Sequence, residues 1–235
     1  MSIVFGTPGR RVQLVHLRTD VHAERELKSQ QSLRRLEARG IDYVERVNPR
    51  ATAIPEAMLA FCRRPDHISP DGKPGFELVT PAAWGCYAAH RDALAQLADT
   101  ADYTIICECD TGISVPISEF CWILDEAIER IERDDAYLVN LGPDLDRMAP
   151  QEEHYYDDLF VNAWYQIPLN AYVVPNRRRD WYQARIRDSE WDSADMWLNH
   201  VFCHHRQLRL RTYRRFVDFF SGPSLIDDFV KQGNL

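Results

Sequence analysis

The chain has 235 residues, 45% of them hydrophobic, which suffices for a sizeable core in one large domain. A formal net charge of −8 argues against a general binder of nucleic acid or anionic membranes. The six cysteines form no CxxC pair, which argues against a structural zinc site, and no run approaches the ~20 apolar residues of a membrane span.

The N-terminus lacks a charged segment followed by an apolar stretch of signal-peptide type, so the expected location is cytoplasmic. Charge is uneven along the chain. From Ala171 onward there are 11 Lys+Arg against 8 Asp+Glu, a balance of +3 that leaves −11 on the rest. A basic C-terminal third is a solvated face or a face for phosphates.

In chain order, "RVQLVHL" (11–17) predicts a first strand. "ERELKSQQSLRRLEARG" (24–40) predicts a helix closed by Gly40, and "IDYVERV" (41–47) alternates like a second strand. Residues 48–78 are rich in Pro and Gly and read as a long loop or insertion. Thr80 and Pro81 then mark a helix start, and Ala83, Cys86, Tyr87, His90, Leu94 and Leu97 share one face. A strand from Tyr103 to Cys107 follows. The next helix begins near Pro116 with a stripe of Ile117, Phe120, Cys121, Leu124, Ile128 and Ile131.

"AYLVNL" (136–141) predicts another strand, and 142–153 a polar loop. "DLFVNAWYQI" and "NAYVVP" are strand-like. Asn176 is a candidate cap for a short helix from Arg177 to Ile186, and Ser193 for another over "ADMWLNHVFC". "QLRLRTY" predicts a late strand with one apolar and one basic face. This alternation predicts an α/β fold: a mixed, mostly parallel sheet flanked by helices, as a single domain over residues 1–235.

Within this frame the stretch "CECDTG" (107–112) stands out. Glu108 and Asp110 sit at the carboxyl end of a buried strand, where open α/β sheets bind ligands. Residues i and i+2 of an extended chain point to one side, so both carboxylates are expected to converge while Cys109 turns away. A hard divalent cation, Mn²⁺ or Mg²⁺, would satisfy the pair and leave positions for substrate phosphates. A solvated acidic turn is the plainer alternative. Gly112 permits a close backbone approach nearby.

The segment "WGCYAAHRDALAQLADTADYTIICECDT" resembles glycosyltransferase family 25, the lipooligosaccharide-biosynthesis and collagen-galactosyltransferase type. That family carries a Gly-Cys-Tyr helix ending in Ser-His and a strand ending Leu-Glu-Asp-Asp. Here the helix reads Gly85-Cys86-Tyr87-Ala88-Ala89-His90, and the strand end reads Cys107-Glu108-Cys109-Asp110. "VQLVHLRTDVHAER", with Arg25, is similar to the family's opening strand. "NAYVVPNRRRDWYQ" and "SADMWLNH", with Asp195, echo later segments in the same order. Three departures stand out: Cys109 replaces the middle acid, Ala89 replaces the serine, and His16 replaces an asparagine.

The resemblance implies a GT-A-like (Rossmann-like) fold and inverting, metal-dependent transfer of a hexose from a UDP-sugar to an acceptor hydroxyl. The acceptor is a glycan, a protein or a small molecule. Glu108 and Asp110 are the expected metal ligands, with a third from His200, His204 or His205, of which His204 is taken. Arg25 and His90 join Glu108 and Asp110 as donor-site candidates, although His90 also fits a satisfied core histidine and Arg25 the mere start of a helix. Asp195 is the candidate base by its match to the family's late aspartate, with Glu190 and Asp192 beside it, and helix capping after Ser193 is the alternative role. Arg177 to Arg179 and Arg209 to Arg215 are candidates for the pyrophosphate. A degenerate sugar-nucleotide binding protein is the competing non-enzymatic reading, motivated by Cys109 and Ala89. A nucleotidyltransferase is the competing enzyme, disfavoured because "HLRTDVHAER" lacks a glycine-rich phosphate loop.

Overall fold

The computed structural model describes residues 9–19, 23–48, 51–56, 81–142, 153–163, 170–188, 198, 207–212 and 216–220. Of the expected loop at 48–78 only 48 and 51–56 are among these residues, and Thr80, Glu190, Asp192, Ser193, Asp195, His200, His204 and His205 lie outside them.

The elements alternate as their patterns require. Strand β1 (Val12–Arg18) leads into helix α1 (Ala23–Arg34), and a 3-10 turn (Glu37–Arg39) delivers the chain to β2 (Asp42–Val47). Gly40 makes that reversal at φ 81°, a left-handed conformation costly for other residues. Helix α2 (Pro81–Ala95) starts on proline, whose missing N–H costs nothing in a first turn. Strand β3 (Tyr103–Cys107), the short β4 (Thr111–Ile113) and helix α3 (Ile117–Asp134) follow. The remaining elements are β5 (Leu138–Asn140), β6 (Glu153–Tyr155), β7 (Phe160–Ala163), β8 (Ala171–Pro175), α4 (Arg179–Asp188), β9 (Arg209–Thr212) and β10 (Val217–Phe219).

Eight strands form one mixed sheet in the order β2-β1-β3-β8-β5-β9-β7-β6, and β4 pairs with β10 in a separate antiparallel ribbon. β7 and β8 run against the other six, so most strands point one way, as expected. Alternation along β3 divides the core. Tyr103, Ile105 and Cys107 face α1 and α3 through Leu33, Leu36, Phe120, Leu124 and Ile128. Ile106 faces α2 and α4 through Tyr87, Ala93, Leu94 and Tyr182. Strand β3 is therefore covered by helices on both sides, and its carboxyl end opens between the two layers.

Two expectations change. The basic face of "QLRLRTY" is not an exposed one: Arg209 and Arg211 are buried, because β9 lies between β5 and β7 inside the sheet. Asn176 does not cap a helix with its side chain. It accepts from Thr104 Oγ1 at 2.8 Å and donates to the Ala98 carbonyl at 2.9 Å, tying the start of α4 to β3 and the end of α2.

Candidate functional site

Beyond Cys107 the chain does not stay extended. The Thr111 amide donates to the Glu108 carbonyl at 3.1 Å, closing a turn. Strand alternation therefore does not place the two carboxylates, and the turn sets their directions instead. The surroundings hold this turn firmly. The Glu108 amide and the Thr111 hydroxyl both donate to the Asn170 carbonyl, at 2.9 and 2.7 Å. The Phe220 amide donates to the Asp110 carbonyl at 2.8 Å. The Phe220 ring lies so close over Gly112 that a Cβ there would sit 2.5 Å from it, the close approach that the glycine permits.

Each carboxylate is met by a different helical layer. Glu108 reaches α2: His90 Nε2 lies 3.1 Å and Cys86 Sγ 3.5 Å from its Oε1. His90 is fully buried, and its Nδ1 is 2.8 Å from the Tyr172 hydroxyl on β8. It is thus both a satisfied core histidine and a direct partner of the strand-end acid. Burial pushes the Glu108 pKa up, but His90, Cys86 and Arg25 together bring it below the ordinary carboxylate value. Glu108 is ionised at neutral pH.

Asp110 turns toward α1. Arg25, 9% exposed, places Nη1 3.6 Å from Asp110 Oδ2, a charge contact too long for a good hydrogen bond. This single guanidinium does not compensate the site. Burial, and then the Glu108 charge, push the Asp110 pKa up to about 7 despite Arg25. Its Oδ1 is buried with no hydrogen-bond partner among the described residues. Arg25 therefore does more than begin a helix: it supplies a fixed positive charge beside Asp110 that also acts on Glu108.

The departures from the family pattern have structural roles here. His16 is buried under the turn, with Nδ1 2.7 Å from the Tyr43 hydroxyl and Nε2 3.0 Å from Ser29 Oγ. Ser29 gives its one proton to the Thr111 carbonyl at 2.6 Å, so His16 Nε2 is the donor to Ser29 and Nδ1 accepts from Tyr43. Burial lowers the His16 pKa to about 4, which keeps the ring neutral for this chain of bonds. Cys109 is half-buried, and burial beside Asp110 and Glu108 pushes its thiol up to about 12, so no third anion joins the pair. Ala89 is part of the core.

Arg177, Arg178 and Arg179 are not near the carboxylates. β8 runs antiparallel to β3, so the residues after Pro175 emerge beside Tyr103, at the opposite end of the sheet. There Arg177 and Arg179 line a cavity of about 570 Å³ together with Arg10, Asp99, Asp102 and Glu132. Its charges largely pair with one another, as in Arg10–Glu132 at 2.6 Å and Arg179–Asp99 at 2.5 Å. Sequence reasoning missed Tyr172, Ser29 and Asn170. Only "NAYVVP", in which Asn170 precedes the strand and Tyr172 alternates with valine, carried a signal for any of them.

No protein-family model matches the chain, and no curated protein matches it. Solved structures similar to it include an active-site mutant of LgtC, at 11% identity over 94% of this chain and 95% of that one, with a TM-score of 0.42. A glycosyltransferase involved in glycosylation of the major capsid of PBCV-1 aligns at 9% identity over 82% and 74%, with a TM-score of 0.41. The 4-diphosphocytidyl-2C-methyl-D-erythritolsynthase of Anaerococcus prevotii aligns at 8% identity over 95% and 97%, with a TM-score of 0.42. Structural neighbours thus include glycosyltransferases and a synthase of another kind. At these scores the function has to be read from the chemistry of the site itself. Among the described residues, no helix is long and apolar enough to cross a membrane.

Proposed function

We propose that this chain is a metal-dependent glycosyltransferase that moves a hexose from a UDP-sugar to an acceptor hydroxyl with inversion. The observation that carries the reading is the state of Asp110. A strand-end carboxylate with one buried oxygen that has no hydrogen-bond partner among the described residues, a pKa near 7 and an ionised neighbour is short of positive charge. Its position beyond the carboxyl end of β3 is where open α/β sheets receive nucleotides.

The oxygen donors suit Mn²⁺ or Mg²⁺, held by Asp110 and Glu108 with His204 as the third ligand. When bound, such an ion supplies positive charge against the departing diphosphate. The protein's own groups do the rest. Arg25 offers a fixed guanidinium at the same turn to diphosphate oxygens. His90, braced by Tyr172, fixes the Glu108 carboxylate. Asp195, with Glu190 nearby in sequence, takes the proton of the acceptor hydroxyl as that oxygen bonds to the anomeric carbon. The bond from the anomeric carbon to UDP breaks on the opposite face, and UDP leaves with the bonding pair.

The test is UDP release from a panel of UDP-sugars, with and without Mn²⁺, by the wild type and by Asp110→Asn. The expected result is Mn²⁺-dependent release that the variant loses while its thermal melt stays cooperative. Near-normal release by Asp110→Asn overturns the assignment. Binding of UDP-sugars without release favours the non-catalytic reading, and turnover of nucleoside triphosphates favours a nucleotidyltransferase.

A further inference from the structure

A second donor set lies beside the carboxylate pair. Cys86 and His90 are four residues apart on α2, so they project from the same face. Glu108 comes to meet them from the end of β3. The ligating atoms of these three residues all lie within 4.8 Å of one another. We propose that Cys86, His90 and Glu108 form a binding site for a borderline-soft divalent ion of the Zn²⁺ class, separate from any hard ion that Asp110 holds.

Two of the three ligand-to-ligand spacings already match what such an ion requires, and the third, Cys86 Sγ to His90 Nε2, lies within 4.8 Å. Tetrahedral coordination at ~2.0 Å to nitrogen and oxygen and ~2.3 Å to sulfur requires edges of about 3.3 Å N···O and about 3.5 Å S···O. The observed separations are 3.1 Å for His90 Nε2 to Glu108 Oε1 and 3.5 Å for Cys86 Sγ to the same oxygen. The second shell is in place as well. Ligating histidines usually bond through the other ring nitrogen, and His90 Nδ1 is 2.8 Å from the Tyr172 hydroxyl. A hydroxyl can accept as readily as donate, so the His90 proton can reside on Nδ1 and leave Nε2 for the ion. Cys86 is a reduced thiol. On binding, its proton passes to solvent and the thiolate becomes the ligand, a donor that hard ions do not favour. Three protein ligands leave one tetrahedral position for water or another small ligand.

Although it shares Glu108 with the proposed transfer site, this site is distinguished by its signature, a metal–thiolate bond. If the carboxylate pair also holds a hard ion, the shared Glu108 makes Zn²⁺ a competitor there.

The experiment is titration of the full chain with Co²⁺, followed by back-titration with Zn²⁺. The expected result is a thiolate-to-Co²⁺ charge-transfer band in the near ultraviolet, erased when Zn²⁺ displaces the cobalt. Cys86→Ser and Cys86→Ala should both abolish the band, with metal-free melts showing whether each remains folded, while Cys109→Ser should keep it. Tyr172→Phe should weaken binding about tenfold by loosening the histidine. Asp110→Asn should keep the band even if it abolishes UDP release, which separates this proposal from the transfer reading. Absence of the band in the wild type, or its survival in a folded Cys86→Ser protein, overturns the proposal and leaves the three side chains as a hydrogen-bonded anchor for Glu108.

Discussion

Asp110→Asn should make the metal-free protein more stable, and only at neutral and alkaline pH. The folded state raises the Asp110 pKa from 3.8 to about 7, through burial first and the Glu108 charge second. An acid whose folded pKa is raised binds its proton more tightly when folded. Below about pH 4 the group is protonated in both states and costs nothing. Between about pH 4 and 7 the unfolded chain ionises first, so stability falls as pH rises, and above 7 the whole cost is present. The span of about 3 pH corresponds to roughly 4 kcal/mol. The Asp110 side chain is 18% exposed and that of Glu108 24%, so solvent at the site mouth reduces this to about 1–2 kcal/mol. At about 2–4 °C per kcal/mol for a chain of this size, the variant should melt about 2–8 °C higher at pH 8 and together with the wild type at pH 4. The assay is a pair of thermal melts in chelator across that range. An equal or lower melting temperature for the variant at pH 8 would refute the idea that Asp110 lacks positive charge.

Other outcomes follow from the same contacts. His16 has the opposite sign: its folded pKa falls to about 4, so the unfolded chain takes up the proton first and about 3 kcal/mol of stability is lost as pH drops from 6.5 to 4. His16→Gln should flatten that limb in denaturant titrations. Ser29→Ala strips the His16 Nε2 proton of its acceptor and the Thr111 carbonyl of a donor, and should cost about 1–3 kcal/mol by urea unfolding. His90→Ala removes the bonds to Glu108 and Tyr172 and leaves a cavity, for about 2–4 kcal/mol, and should raise the Glu108 pKa seen by NMR titration. Arg25→Met should push the Asp110 pKa further up, which enlarges the stabilisation given by Asp110→Asn and moves the pH at which that stabilisation levels off to higher values, with its onset near pH 4 unchanged.

The sheet was legible because its strands and helices differ in period. "YTIIC" and "AYVVP" are short apolar runs bounded by polar residues, and they fold as β3 and β8 with every position buried. The α3 stripe was legible for the same reason, at helical spacing: Phe120, Leu124, Ile128 and Ile131 are fully buried. Strands β4, β6 and β10 were not. Length alone is not the reason, since β5 is equally short; their pairing is decided by partners distant in sequence, as Thr111 is by Phe219. The candidate site was half legible. The two acids announce themselves at a strand end, whereas His90 lies on a helix and stands out only through the family resemblance. Which base meets which acid depends on helices landing on opposite faces of β3, and no local pattern encodes that. The extended-chain argument for convergence failed because the Glu108 carbonyl is taken by the Thr111 amide, which turns the chain at once.

A purely structural origin for the paired acids would leave a different trace. Buried ion clusters that only hold a fold satisfy every oxygen, since an unpaired one costs what the cluster gains. Glu108 is compensated: an imidazole and a thiol meet its Oε1, and together with a nearby guanidinium they hold it ionised. Asp110, two residues away in the same turn, is not: among the described residues its Oδ1 has no hydrogen-bond partner, and its ionisation is opposed. Nor is looseness the cause, because hydrogen bonds to Asn170, Ser29 and Phe220 pin the backbone around it. A rigid turn that keeps one acid compensated and its neighbour in need of charge fits a site shaped to receive a cation or a cationic complex.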